Sequence, residues 1–426
     1  MRKLAGTIGT IGASIAAMLS AYAADMPVKA PQAPAPAAAS PWDFTVDQEV
    51  RYFSWSSTPR GFPTSLAPGG HGTEVYAPLA FQAVGRVSED IKLELLARGG
   101  YVSARQSIGG VSGQVSTTTD TMLSATATYY GWNGFQPFLS VNVNAPTGKT
   151  ALFGLSARAR MDSDLVDLPT FGEGWNVGPT LGVIVPLTDS LFLSFGAGYT
   201  NRGPYDREAF PDPVTGAQGV IRLDPSDVFT GNASIGYQVG ALSLRGTASY
   251  SVESNTLIDG ALFYKSGNRY FLSGTAAYAW NDSWTSSVSA TFSHFDRNQV
   301  AVFGLPGLVV EAFNSNSNVV RVAADSTYKN GALAVGPTVS YLQRDHNGYD
   351  PVTNQFVAAK TRWGAGGVLF YTVNKQATLS VRAERIWIHE DDNPAKVVGI
   401  FVIPGSAIPA VASNGWMLSL GGVVNF

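Results

Sequence analysis

From Trp42 to the end of the chain, hydrophobic residues fall on every second position in one segment after another. The segment after Asp90 sets Ile91, Leu93, Leu95, Ala97 and Tyr101 against Lys92, Glu94 and Arg98. A later one sets Leu242, Leu244, Ala248, Tyr250 and Val252 against Ser243, Arg245, Thr247, Ser249 and Glu253. Another sets Trp363, Leu369, Tyr371 and Val373 against Lys360, Arg362 and Thr372. Successive side chains of a strand point to opposite faces, so a period of two predicts β-strands with one apolar face. Short polar turns at 88–90, 133–134, 188–190, 239–240, 281–283, 329–331 and 373–375 separate these segments. Their Asn-Gly, Asn-Asp and Asp-Ser pairs supply the positive φ angles of tight hairpins. They alternate with eight long connections, at roughly 57–73, 105–119, 147–174, 201–226, 253–268, 296–317, 344–359 and 389–414. Seven short and eight long connections join sixteen strands, with both chain ends on the side of the short turns.

An even strand number with short turns on one side and long loops on the other predicts an all-β fold. Its form is a transmembrane antiparallel β-barrel of about sixteen strands spanning 42–426, with periplasmic turns and extracellular loops. An Arg facing lipid near the midplane costs about 2–4 kcal/mol, so the charged parity is expected to face the lumen. Trp42, Trp175, Tyr199, Trp280, Trp284, Trp363 and Trp416 lie at strand ends, where interfacial girdles form. The fifteenth segment breaks the pattern, because Arg385 shares the parity of Leu379 and Val381. A β-bulge near Glu384 would restore it and put Ile386 and Ile388 outside. The last segment, Gly415 to Phe426, turns Trp416, Leu418, Leu420, Val424 and Phe426 to lipid. Its terminal Phe resembles the signal that outer-membrane barrels present to their assembly machinery.

Composition agrees with this reading. Charged residues make up 14 % of the chain, hydrophobic residues 45 %, and the net charge is −3. That balance excludes a disordered chain and a nucleic-acid binder that relies on excess positive charge. A soluble domain carries about 25 % charged residues, so this surface is short of charge. Yet the mature chain offers no run of about eighteen apolar residues for a helical span. There is no cysteine, so disulfides and a lipid-modified cysteine are both excluded.

At the N-terminus, Arg2 and Lys3 precede a small-residue apolar stretch and Ala21-Tyr22-Ala23 forms an A-x-A site. A signal peptide over 1–23 and a Pro/Ala-rich periplasmic leader over 24–41 are expected. "AADMPVKAP" resembles the mature N-termini of outer-membrane proteins from alphaproteobacteria, which implies an outer-membrane location.

Sixteen strands enclose a lumen too wide for side chains to fill. Basic residues gather on its closing wall: Arg321, Arg344, Arg362 and Arg382, with Arg51 on the first strand and Arg98 on the third. The loop between strands five and six carries Asp162, Asp164, Asp167 and Glu173, and ends in "LPTFGEG" (Leu168 to Gly174). In this the chain resembles the general-diffusion porins of Gram-negative bacteria, whose third loop folds into the barrel and faces a basic wall. The resemblance implies that the four acids oppose the arginines across a constriction and pass small-molecule solutes. Arg158 and Arg160 lie in the same loop and offer its acids local partners. The other arrangement is a solvated outer loop, with lumen arginines paired to Asp47, Glu49, Glu94, Asp325 and Glu384. "NVNAPTGKTALFG" (Asn142 to Gly154) resembles strand ends of barrels linked to uptake of aromatic or other hydrophobic compounds.

Other chemistry finds no footing. A phosphate loop around Gly148-Lys149-Thr150 needs a Gly where Val143 stands. His71, His294, His346 and His389 are scattered without metal-ligand spacing, and no Gly-x-Ser-x-Gly elbow occurs. Neither a catalytic residue, a metal nor a cofactor is expected. The favoured function is passive diffusion of small solutes; the alternatives are a selective channel for hydrophobic or aromatic compounds and a structural or adhesion barrel with a closed lumen. The expected surroundings are outer-membrane lipids, lipopolysaccharide and the barrel assembly machinery. A homotrimer stays open, because lipid-facing and subunit-facing apolar residues look alike.

Overall fold

The computed structural model describes residues 42–59, 69–132, 134–164, 166, 168–209, 218–302, 304–394, 396–398, 401–402 and 407–426. The signal peptide and leader expected over 1–41 lie outside the described residues. Sixteen strands, all antiparallel, make one sheet. They are β1 (Trp42–Pro59), β2 (Gly70–Arg86), β3 (Ile91–Ile108), β4 (in two runs, Val111–Thr118 and Thr121–Tyr129) and β5 (Gln136–Ala145). There follow β6 (Asn176–Thr188), β7 (Leu191–Arg202), β8 (Val228–Val239), β9 (Leu242–Glu253), β10 (Arg269–Ala279) and β11 (Trp284–Phe295). The set ends with β12 (Val319–Asn330), β13 (Leu333–Arg344), β14 (Lys360–Thr372), β15 (Ala377–Glu390) and β16 (Val411–Asn425). β16 pairs with β1 from Thr45↔Asn425 to Pro59↔Val411, so the sheet closes on itself and leaves no edge. All seven tight turns lie where the pattern puts them, with positive φ at Gly134, Gly240 and Gly331.

Two expectations are corrected. The connection expected at 105–119 is not a loop: β3 runs on to Ile108, turns through Gly109-Gly110, and pairs with Val111–Thr118 as a projecting hairpin. The two glycines take positive φ, which permits this tighter turn. β15 also has no bulge at Glu384, because its register against β14 and β16 is unbroken. Ile386 and Ile388 therefore face inward and are buried, while Arg385 faces out beside Trp416. An arginine is tolerated there because its guanidinium reaches the polar edge of the belt and lies over an indole, 5.2 Å from the Trp416 ring.

Leu79, Leu95, Leu139, Leu181, Phe195, Leu272, Val339 and Leu420 are all exposed on the outer face. Aromatic pairs edge this belt: Tyr199–Phe229 at 4.8 Å and Tyr341–Trp363 at 4.4 Å on the loop side, and Tyr278–Trp280 at 4.8 Å on the turn side. A closed, even-stranded antiparallel barrel with an apolar belt between two girdles is the architecture of the bacterial outer membrane, and the chain is an outer-membrane β-barrel.

The long connections after β7, β9 and β11 are not separate loops. Tyr205–Glu208, Val220–Asp224, Thr256–Ile258, Ala261–Lys265, Gln299–Ala301 and Leu308–Val310 form a second, six-stranded sheet beyond the barrel. Its strands pair across connections, as Leu223↔Ile258 and Tyr264↔Val300.

Candidate channel constriction

The segment between β5 and β6, residues 147–175, packs against the inside of the barrel. Its base is held by Asp120, which sits in the break between the two runs of β4. The backbone N–H of Gly148 donates to Asp120 Oδ1 at 2.9 Å, and that of Glu173 donates to Oδ2 at 2.7 Å. Asn144 Nδ2 adds a bond to Oδ2 at 2.7 Å. One carboxylate thus clasps both ends of the loop, and the missing strand pairs at Thr119-Asp120 free it to do so.

Beyond this clasp the loop is apolar on one side. Leu152, Ala159, Met161, Val166 and Phe171 form a buried cluster with Phe53 and Trp55 of β1, Tyr76 of β2, Val102 and Ala104 of β3, and Val115 of β4. Trp55 Nε1 donates to Met161 Sδ at 3.1 Å. At Gly113 an added Cβ would overlap the Arg158 carbonyl, so the hairpin and the loop's 3-10 turn, Ala157–Ala159, touch backbone to backbone. Gln106 Nε2 donates to the carbonyls of Arg158 at 2.8 Å and Arg160 at 2.6 Å. The Leu168 N–H donates to Glu74 Oε1 of β2 at 3.2 Å.

The tip then reaches across to β12–β14. Asp164, 3 % exposed at its side chain, receives Arg344 Nη1 at 3.0 Å and lies 3.9 Å from Arg321 Nη2. Arg362 Nη1 donates to its backbone carbonyl at 3.1 Å. Lys360, also 3 % exposed, pairs with Asp162, lies 3.6 Å from Asp164, and reaches Glu390 of β15 at 3.1 Å. Burial alone would raise the Asp162 carboxyl. The Lys360 charge and hydrogen bond, the Asp164 N–H and Arg344 together bring it below the usual carboxylate value. A third contact ties the loop to the outer sheet. Glu208 accepts Arg160 Nε at 2.9 Å and the Leu152 N–H at 2.9 Å. Burial raises the Glu208 carboxyl, but these bonds outweigh it and leave it below its usual value.

The ten residues read from sequence as a constriction are therefore sorted into groups. Asp162, Asp164, Arg321, Arg344 and Arg362 come together. Arg51 turns to Glu49, two residues away on β1, at 2.7 Å. Arg382 pairs with Glu384 and donates to Thr338 Oγ1 at 2.9 Å. In both cases an acid two residues away on the same face is nearer than the loop. Arg98 lies in one row with Ala80 and Asp47, on the turn side of the loop. Glu173 stays at the loop's base beside Asp120, in the field of Arg202 and Arg207. Asp167 lies outside the described residues. Three groups were missed. Lys360 carries the right parity but was not counted with the arginines; Asp120 and Glu208 give no periodic signal, since each acts through contacts with distant backbone.

Ion pairs at 3.0 Å leave no aperture between the acids and the β12–β14 wall. Met161, Asp162, Asp164, Val166 and Phe171 instead lie along the arc from β13 round to β2, where Phe53, Ile386 and Glu384 are each 0 % exposed. The rest of the lumen is bounded by β5–β11. Its inner face carries Ser194, Asn232, Ser234, Thr247, Ser249, Ser273, Thr275, Ser287 and Ser289, together with Arg245 and Arg269.

No family model matches the chain, and no curated relative does. Among solved structures it is similar to an outer membrane channel from Pseudomonas putida F1, at 12 % identity, TM-score 0.36, covering 89 % of this chain and 95 % of that one. It is similar to a Pseudomonas aeruginosa FadL homologue at 11 % identity, TM-score 0.41, covering 90 % of each chain. A third is OmpF of Salmonella typhi, at 12 % identity and TM-score 0.36, covering 90 % of this chain and 97 % of the other.

Proposed function

We propose that the barrel is a passive outer-membrane channel for small hydrophilic solutes, reached after export through a signal peptide cleaved behind Ala23. Solutes pass between the loop and the β5–β11 wall, on the side the loop leaves uncovered. The observation that carries this reading is the division of the lumen. The apolar inner face of β1–β4 is covered by the loop, while the hydroxyl-rich face opposite remains polar. A polar wall keeps water in the path, and a narrow low-dielectric passage enlarges the effect of any fixed charge on it. Arg245 and Arg269 stand on this wall, and Arg344 and Lys360 pair with Asp164 and Asp162 across the lumen. The passage is proposed to favour anions modestly, through the two arginines that line it. The apolar side chains on the β1–β4 wall pack against the loop, which gives the hydrophobic-compound reading less support.

The test is single-channel recording of the purified mature protein in a planar bilayer. A steady ohmic conductance with a permeability ratio toward anions is expected, and the double variant Arg245→Ala, Arg269→Ala should move that ratio toward cations. Silence from a barrel shown to be folded by its heat-dependent gel mobility would overturn the proposal and leave a closed structural barrel.

A further inference from the structure

The lumen-facing arginines mostly meet carboxylates, as Arg51, Arg160, Arg202, Arg344 and Arg382 show. Arg385 is different. It lies on the outer face of β15, in the series Leu379, Val381, Ala383, Arg385, Trp387. Among the described residues no carboxylate pairs with it. Its Nη2 donates to the neutral side chain of Asn414, and its guanidinium lies 5.2 Å from the Trp416 ring centroid. Trp387 follows on the same face, with Trp363 opposite it on β14. All three indoles are exposed, at 57 % for Trp363, 47 % for Trp387 and 47 % for Trp416.

We propose that this corner binds the phosphate group of an anionic lipid of the outer leaflet. A guanidinium presents five N–H donors in a planar fork that matches two phosphate oxygens, and Asn414 engages only Nη2. The guanidinium lies over Trp416 and is only partly buried, and among the described residues its one hydrogen bond is through Nη2. Indoles belong at the headgroup boundary, so the three tryptophans set the depth at which a lipid phosphate is met. The same cation in contact with acyl chains alone would lack a counter-charge. A lipid phosphate supplies it, while the acyl chains lie along the exposed Val381, Leu418 and Leu420.

The experiment is native mass spectrometry of the full mature protein in detergent with phosphorylated lipid A, and with the same lipid after enzymatic dephosphorylation. The expected result is retention of the phosphorylated lipid, about tenfold weaker in R385Q and only partly weakened in R385K, with no preference for the dephosphorylated lipid. Free inorganic phosphate should compete poorly. R385Q should keep the heat-dependent gel mobility and conductance of the parent barrel, so that loss of retention reads as a lost site. Equal retention by R385Q, equal retention of the two lipids, or full competition by inorganic phosphate would overturn the proposal. A change in subunit number in R385Q with unchanged lipid retention would also overturn it, by assigning this face to contact between copies.

Discussion

Asp120 accepts from three donors that come from both sides of a long excursion: Asn144, Gly148 and Glu173. Hydrogen bonds to a charged acceptor contribute about 1.5–3 kcal/mol each where buried, and Asp120 is only half-buried. Asp120→Ala is expected to weaken docking of the loop by about 2 kcal/mol with the barrel intact. Amide hydrogen exchange of residues 148–161, raised against unchanged β9 and β10, would show it. Gly113 is tested by the opposite kind of change. Gly113→Ala pushes the Arg158 carbonyl away and should unseat the same stretch without removing any polar partner, read by the same exchange measurement. Neither residue announces itself in the sequence. "TTTDTM" around Asp120 alternates like any strand, and a lone Gly in a hairpin gives no sign of a backbone approaching from 45 residues further on. Arg385 was visible as a break in parity, but parity alone offered a bulge as the remedy. The actual answer, a cation laid on an indole and bonded to Asn414, depends on residues 29 and more positions away.

At the scale of elements, the lumen loop is a small hydrophobic core inside a membrane protein. Phe171, 2 % exposed, fills much of it. Phe171→Ala should cost about 3 kcal/mol of loop docking by emptying that space, and should raise current fluctuations in single-channel recordings. The polar attachments at the far side titrate. Asp162 and Glu208 both have carboxyls held below their usual values, so their contacts are intact above the ordinary carboxylate range and are lost as pH falls through the depressed values. The loop should therefore stay docked from neutral pH through the ordinary carboxylate range and become noisy only below it, with Asp162→Asn noisy already at neutral pH. Recording at stepwise lower pH decides this; an Asp162→Asn trace as quiet as the parent's at neutral pH would count against carboxylates as the latch. That the loop bears acids and the wall bases was legible from sequence. Which acid meets which base was not, because the choice follows the loop's apolar packing, and buried Met161, Val166 and Phe171 look in sequence like scattered loop residues.

For the whole molecule, sixteen strands and, apart from the loop-side half of β15, their inward and outward faces were legible because lipid favours alternation along each strand. The six-stranded outer sheet was not, since its strands are only three to five residues long and pair between connections far apart in the chain. Its link to the loop through Glu208 makes the outside of the protein and the inside of the lumen one mechanical unit. There is also a chronology in the loop's anchors. The Asp164–Arg344 bond joins residues 180 positions apart, and the Lys360–Asp162 pair joins residues 198 apart. Apart from Glu208 of the outer sheet, the loop's other anchors are on β1–β5, so the barrel partners on its two sides stand in position together only after β16 has met β1. Contacts of such long sequence separation form late. The seating of the loop thus marks the moment at which assembly is complete.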